Sequence, residues 1–204
     1  MEEDKEIEHL PRRERERLAR LKEILIAAKK IFARDGYDNT NLETVAELCE
    51  LSKGTIYYYF NSKAELFCRI LESGIDEITA NIEEAAKIDD VRESVHAVIY
   101  STIRKFRMDL DLVKILILAR KRIDKEIHEI DADPLQDKFR IAIDKLAIIF
   151  QKGIDAGAVK RFDPTMLAYI LIGMMHTFAL KLSADPKSGA DFLSEVIFEG
   201  INIR

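Results

Sequence analysis

Between Leu42 and Phe60 the apolar residues fall at intervals that few folds satisfy. Val45 and Ala46 are followed by Cys49, then Leu51, then Ile56 and Tyr59. Two short helices that cross steeply around a tight turn need a small residue where they touch, and Ala46 supplies it. They need an apolar residue just before the turn (Cys49), one inside it (Leu51) and a buried stripe on the second helix (Ile56 and Tyr59). Any amphipathic helix pair meets some of these conditions. Meeting all of them predicts a helix-turn-helix motif over residues 41–60.

The outer face of the second helix is the next clue. SKGTIYYYFNSK places Ser52, Lys53, Gly54 and Thr55 at its start and then three consecutive tyrosines. Three aromatic side chains in a row cannot all face one core, so at least one of Tyr57, Tyr58 and Tyr59 points outward. A recognition helix presents its N-terminal residues to base edges in the major groove. Gly54 lets the backbone approach DNA, while Lys53 and Thr55 can donate to bases or phosphates. Tyrosine hydroxyls at 57 and 59 suit phosphate oxygens, and Lys63 suits the flanking backbone.

The rest of the chain reads as further helices. Only 8 Gly and 4 Pro occur in 204 residues, and no segment shows sustained strand alternation. Apolar spacing predicts a first helix from Leu18 to Gly36, a second capped by Thr40 or Asn41, and a third from Ser52 to Phe60. Thr40 and Glu43 have the spacing of a capping box. A long fourth helix starts at Asn61 or Ser62, and five more cover roughly 90–107, 109–130, 134–156, 164–183 and 189–202. The expected class is all-α with about nine helices. LDLVKILILA, from Leu110 to Ala119, is apolar nearly all round, which predicts a central helix.

Net charge is -5, but it is unevenly spread. Residues 11–63 carry 11 basic and eight acidic side chains, whereas an acidic tip and an acidic body flank them. This pattern argues against indiscriminate coating of nucleic acid and is compatible with local contact. Cys49 and Cys68 form no motif, the charged N-terminus has no apolar signal core, and the longest mostly apolar run, Met166 to Leu180, is 15 residues. A cytoplasmic protein with no membrane partner is expected. There is no phosphate-binding loop, nucleophile elbow or paired catalytic carboxylates, so an enzyme is not expected. His128-Glu129 with Asp131 lacks the convergent ligands of a metal site, and no metal or resident cofactor is expected.

The segment LKEILIAAKKIFARDGYDNTNLETVAELCELSKGTIYYYFNSKAELF resembles the N-terminal DNA-binding domain of the TetR family of transcriptional regulators. The resemblance rests on Ala28, Phe32, Gly36 and Tyr37 at the end of the first helix, a Thr opening the second, Val45-Ala46, and the run from Ser52 to Lys63. It implies a head at 18–70 and an effector-binding and dimerisation body at 71–204, with 1–17 as a charged arm. It further implies Thr40 at a phosphate, Lys53 to Tyr58 in the groove, Tyr59 and Lys63 on the backbone, and Phe60 in the core. Arg12, Arg13, Arg15 and Arg17 precede the first predicted helix, either as an arm reaching DNA or as a solvated extension. One departure stands out: the turn reads Cys49-Glu50-Leu51, with Glu50 where the family usually has Gly. Either the backbone there is strained or the turn differs.

For the body the resemblance implies a homodimer through the last two helices, binding a palindromic double-stranded operator and releasing it when a small apolar effector binds. Large side chains that could line an effector pocket are Phe106, Met108, Phe139, Phe150, Met166, Tyr169, Met174 and Phe178. His96, Tyr100 and His176 are polar groups in apolar stripes, fit either for a core hydrogen bond or for a ligand. The competing reading is a constitutive DNA-binding factor whose body recruits a protein partner, and a bundle without a cavity would favour it.

Overall fold

The computed structural model describes residues 9–123, 133–181 and 185–200. Among the described residues there are nine helices and no strand. They are α1 (Arg12–Asn39), α2 (Leu42–Leu48), α3 (Lys53–Tyr59), α4 (Lys63–Ala85), α5 (Val91–Met108), α6 (Leu110–Ile123), α7 (Asp133–Asp155), α8 (Pro164–Lys181) and α9 (Pro186–Phe198). None is long and apolar enough to cross a membrane. The predicted continuations over 124–130, 182–183 and 201–202, the acidic tip before residue 9, and His128, Glu129 and Asp131 lie outside the described residues.

The chain divides into two compact units, Met1–Leu71 with Lys114–Ile130, and Glu72–Val113 with Asp131–Arg204.

In the first unit, Ile24, Ala28, Ile31 and Phe32 form the buried stripe of α1. They meet Leu42, Val45 and Ala46 of α2, Ile56 of α3, and Leu66, Phe67 and Ile70 of α4 in one apolar core. Phe32, Tyr37 and Phe67 stack and edge onto one another, with ring centroids 5.0–5.9 Å apart. Gly36 breaks the helical path inside α1 with φ 81°, a conformation open to a residue without Cβ. The start of α4 is held by Ser62, whose Oγ accepts from the Glu65 N–H at 3.0 Å, while the Glu65 carboxylate accepts from the Asn61 N–H at 2.8 Å.

In the second unit α5 is the central helix, packing on α7, α8 and α9. Val95, Val98, Ile99, Ile103 and Phe106 are its buried face. In α6, Leu112, Val113, Ile115 and Ala119 are buried, but Leu110 is 59% exposed. Gly189 lets α9 approach the ring of Phe178, since a Cβ there would lie 2.5 Å from Phe178 Cε1.

Candidate nucleic-acid interface

The motif at 41–60 is built from two capped helices and a closed turn. Asn41, not Thr40, caps α2: its side-chain oxygen accepts the Thr44 N–H at 2.7 Å. Ser52 caps α3 by accepting the Thr55 N–H at 3.1 Å. Between them the Leu51 N–H donates to Ala46 O at 2.9 Å and the Glu50 N–H to Glu47 O at 3.1 Å. This paired closure is the Schellman arrangement, and it puts Glu50 in the left-handed position at φ 55°. Of the two outcomes expected for Glu50, the turn keeps its geometry and the residue bears the strain. Inward, Ile56 is fully buried and Phe60 is 3% exposed.

Outward, the same two helices expose a polar and aromatic face. Ser52, Lys53, Gly54, Tyr57 and Tyr58 are exposed and Thr55 and Tyr59 half-buried, with Tyr58 at 75%. The Ser52 and Thr55 hydroxyls are 2.8 Å apart. The Tyr58 and Tyr59 rings meet edge to face at 5.3 Å. A Cβ on Gly54 would meet only Ser52 Oγ, at 3.8 Å, so nothing inside the protein requires a glycine there. Lys53 forms an ion pair with Glu43 of α2, and its ammonium lies 5.6 Å from the centre of the Tyr57 ring. The Tyr57 hydroxyl donates a long hydrogen bond of 3.5 Å to the same Glu43 carboxylate. The hydrogen bond from Lys53 holds the Glu43 carboxyl below the ordinary carboxylate range, and the same bond raises Lys53 above its usual value. Sequence reasoning saw Glu43 only as a capping partner for Thr40; with the cap at Asn41, its side chain is turned across the motif to Lys53.

Two residues expected at phosphates make internal hydrogen bonds. Thr40 is 3% exposed, and its hydroxyl donates to Gly36 O at 2.7 Å. That bond closes the end of α1. Lys63 donates to Tyr37 O at 2.8 Å and Asp38 O at 3.2 Å and sits 4.5 Å over the Tyr37 ring. It fixes α4 to the end of α1. Helix C-terminal carbonyls attract a cation, which sequence spacing did not reveal.

Arg12, Arg13, Arg15 and Arg17 are exposed and helical, so the residues expected as an arm form the first turns of α1. Pro11 precedes the helix, and ion pairs Arg12–Glu16 at 2.7 Å and Arg17–Glu14 at 3.1 Å reinforce it. The Arg17 guanidinium is raised further above its ordinary value, first by the hydrogen bond it donates to Glu14 and, more weakly, by the Tyr58 and Tyr59 phenols. Arg17 therefore belongs to the same neighbourhood as the α3 tyrosines.

The residues proposed for an effector pocket differ widely in exposure. Phe106, Phe150 and Phe178 are buried in the core and Met174 is half-buried. Tyr100, Met108, Phe139, Met166 and Tyr169 are exposed instead, Met108 at 76%. Periodicity places all of them on apolar stripes, but it does not say whether a stripe faces a core, a cavity or the outside. Phe139 and Tyr169 are neighbours, with centroids 6.4 Å apart. Phe106 packs on the His176 ring at 5.7 Å. A groove of about 580 Å³ runs between α5 and α9, lined by Arg92, Glu93, His96, Asp191, Ser194, Glu195 and Glu199. Charged side chains rim it, and of the candidates His96 lines it, 2.8 Å from Asp191 Oδ1. Among the described residues no group of three or more His, Cys, Asp or Glu side chains is placed to hold a metal ion.

Comparison with known proteins agrees with this geometry. The family model of bacterial regulatory proteins of the tetR family matches residues 24–70, which includes the whole of α2 and α3. YhgD of Bacillus subtilis (strain 168), an uncharacterised HTH-type transcriptional regulator, is 31% identical over 155 residues, 75% of this chain and 78% of that one. The fold is shared with FadR of Bacillus subtilis solved with stearoyl-CoA (TM-score 0.73, 18% identity, 88% of this chain and 98% of that one). It is shared equally with AibR solved with isovaleryl coenzyme A and operator DNA (TM-score 0.72, 20% identity, 88% and 98%). An all-α chain with an N-terminal helix-turn-helix and a helical C-terminal part, matched by these relatives, belongs to the TetR family of helix-turn-helix transcriptional regulators.

Proposed function

We propose that the protein is a homodimeric repressor that inserts α3 of each subunit into the major groove of a palindromic operator and leaves it when an effector binds. The observation that carries the DNA reading is the outward face of α3. Gly54 is exposed in the first turn of α3 and has no neighbour that demands a glycine. Its value lies in letting an outside surface come close. Lys53, Tyr57 and Tyr58 around it offer an ammonium, two phenols and flat apolar rings, the contacts used on phosphates and base edges.

The dimer reading rests on α8. Met166, Tyr169 and Ile170 are 59%, 49% and 54% exposed and fall on one helical face with Gly173, where an added Cβ would meet nothing within 4 Å. Phe192 of α9 is 55% exposed. Apolar stripes left open on the last two helices suit a self-complementary contact with a second copy, and two recognition helices suit a two-fold operator. An acyl thioester is the effector class favoured by the likeness to FadR and AibR. By linkage it must bind the DNA-free form more tightly, by roughly 1–3 kcal/mol for a useful switch.

The second reading is a constitutive DNA-binding factor whose body recruits a protein, and the exposed side chains of Met108, Phe139 and Phe192 offer apolar surface for such a partner. Selection of bound duplexes from a randomised library, followed by titration with a panel of acyl-CoA thioesters, separates the two. Enrichment of a palindrome released by one thioester is expected. A palindrome bound with the same affinity throughout the panel would favour the constitutive factor, and no enrichment would sink both.

A further inference from the structure

On the outward face of the motif, three side chains from two helices converge without a packing reason. Glu43 stands in the first turn of α2, Lys53 opens α3, and Tyr57 follows one turn later. The Glu43 carboxylate is the shared acceptor, ion-paired with Lys53 and 3.5 Å from the Tyr57 hydroxyl. The Lys53 and Glu43 side chains are 64% and 41% exposed, so both are within reach of a docking polyanion. An exposed pair of this kind adds little to stability. What it changes is the charge that the face presents.

Binding to arbitrary duplex DNA scales with the number of phosphates that cations neutralise. A lysine already paired with a carboxylate adds no net charge to that count. Base edges differ from phosphates here: an ammonium can donate to guanine O6 and N7 and a carboxylate can accept from cytosine N4, whereas a phosphate offers Glu43 nothing.

We propose that Glu43 is a specificity-determining residue of the DNA-binding face, keeping Lys53 out of the phosphate contacts made on non-cognate duplex while leaving base-edge contacts open to both side chains. The inference rests on the reading of α3 as the recognition helix. The depressed Glu43 and elevated Lys53 titrations agree with a pair that persists at neutral pH.

The test uses the full chain and a short duplex of randomised sequence, titrated across a series of KCl concentrations. Glu43→Gln is expected to steepen the slope of log K against log [KCl] by about 0.9, equivalent to one more phosphate. Binding should tighten by roughly eightfold near 0.1 M salt. Lys53→Ala alone should leave the slope unchanged, and so should Glu43→Gln made in the Lys53→Ala background. The proposal is overturned if Lys53→Ala alone flattens the slope by about 0.9, because Lys53 would then already sit on a phosphate. It is overturned too if Glu43→Gln tightens binding equally without Lys53, because bulk repulsion would explain the gain. Tyr58→Glu tests the underlying reading separately: a negative charge on this exposed ring position must weaken binding. If it does not, the assignment of α3 fails and the role of Glu43 with it. Thermal melts of each variant establish that the fold is intact.

Discussion

Gly54 and Glu50 reverse the usual placing of glycine in a helix-turn-helix. Gly54 lies in the first turn of α3 with open space around it, and Glu50 occupies a left-handed turn position that glycine fills without strain. Gly54→Ala should leave the fold as stable or slightly more stable and weaken duplex binding, because a methyl would stand where a partner approaches. Denaturation and equilibrium binding check this together. If both move in the same direction, the glycine serves the fold and not the interface. Glu50→Gly should relieve a strain of about 1 kcal/mol and raise the denaturation midpoint at constant m-value. A lower midpoint would show that the Glu50 side chain makes a contact worth more than the strain.

At the scale of elements, much of the order was legible in the sequence. Ser52 and Phe60 bracket α3 as the spacing implied, and the helices expected near 90, 109 and 164 start at Val91, Leu110 and Pro164. Two helix starts differ from the expectation. The start of α1 was set at Leu18 because apolar periodicity begins there, yet the helix runs back to Arg12 on charged pairs that carry no apolar signal. Asp185 and Pro186 open α9 three residues before its expected start, by capping and N1 chemistry. Thr40 and Lys63 have the residue types of phosphate ligands, and the fold adds carbonyl partners that spacing did not reveal. Pocket residues were the least legible, since core, cavity and open face leave one and the same helical stripe. Packing around α9 offers its own prediction. A Cβ at Gly189 would lie 2.5 and 2.8 Å from Phe178 Cε1 and Cζ and 3.1 Å from Ile103 Cδ1. Both neighbours are buried, so Gly189→Ala should cost about 1–3 kcal/mol by overpacking. Denaturant unfolding reads this directly, and an unchanged midpoint would mean that the Phe178 ring can swing aside.

For the molecule as a whole, the net charge of -5 conceals a basic segment at 11–63 that contains the entire helix-turn-helix. Within that segment Lys53 is paired with Glu43, and Lys63 donates to carbonyls. The proposed dimer would present this segment twice to a two-fold site. Ile170→Glu, placing a charge on the open stripe of α8, should yield a monomer by sedimentation with its helical content kept. A dimer of unchanged affinity would move the interface elsewhere. The claim on which everything else depends is that α3 reads DNA. Its most direct measurement is the affinity of Tyr57→Ala/Tyr58→Ala for the duplex selected by the native chain, with folding confirmed by thermal melt. A loss of about a hundredfold or more, on the order of 3 kcal/mol, is the predicted result. Unchanged specific binding by a folded double variant would contradict it.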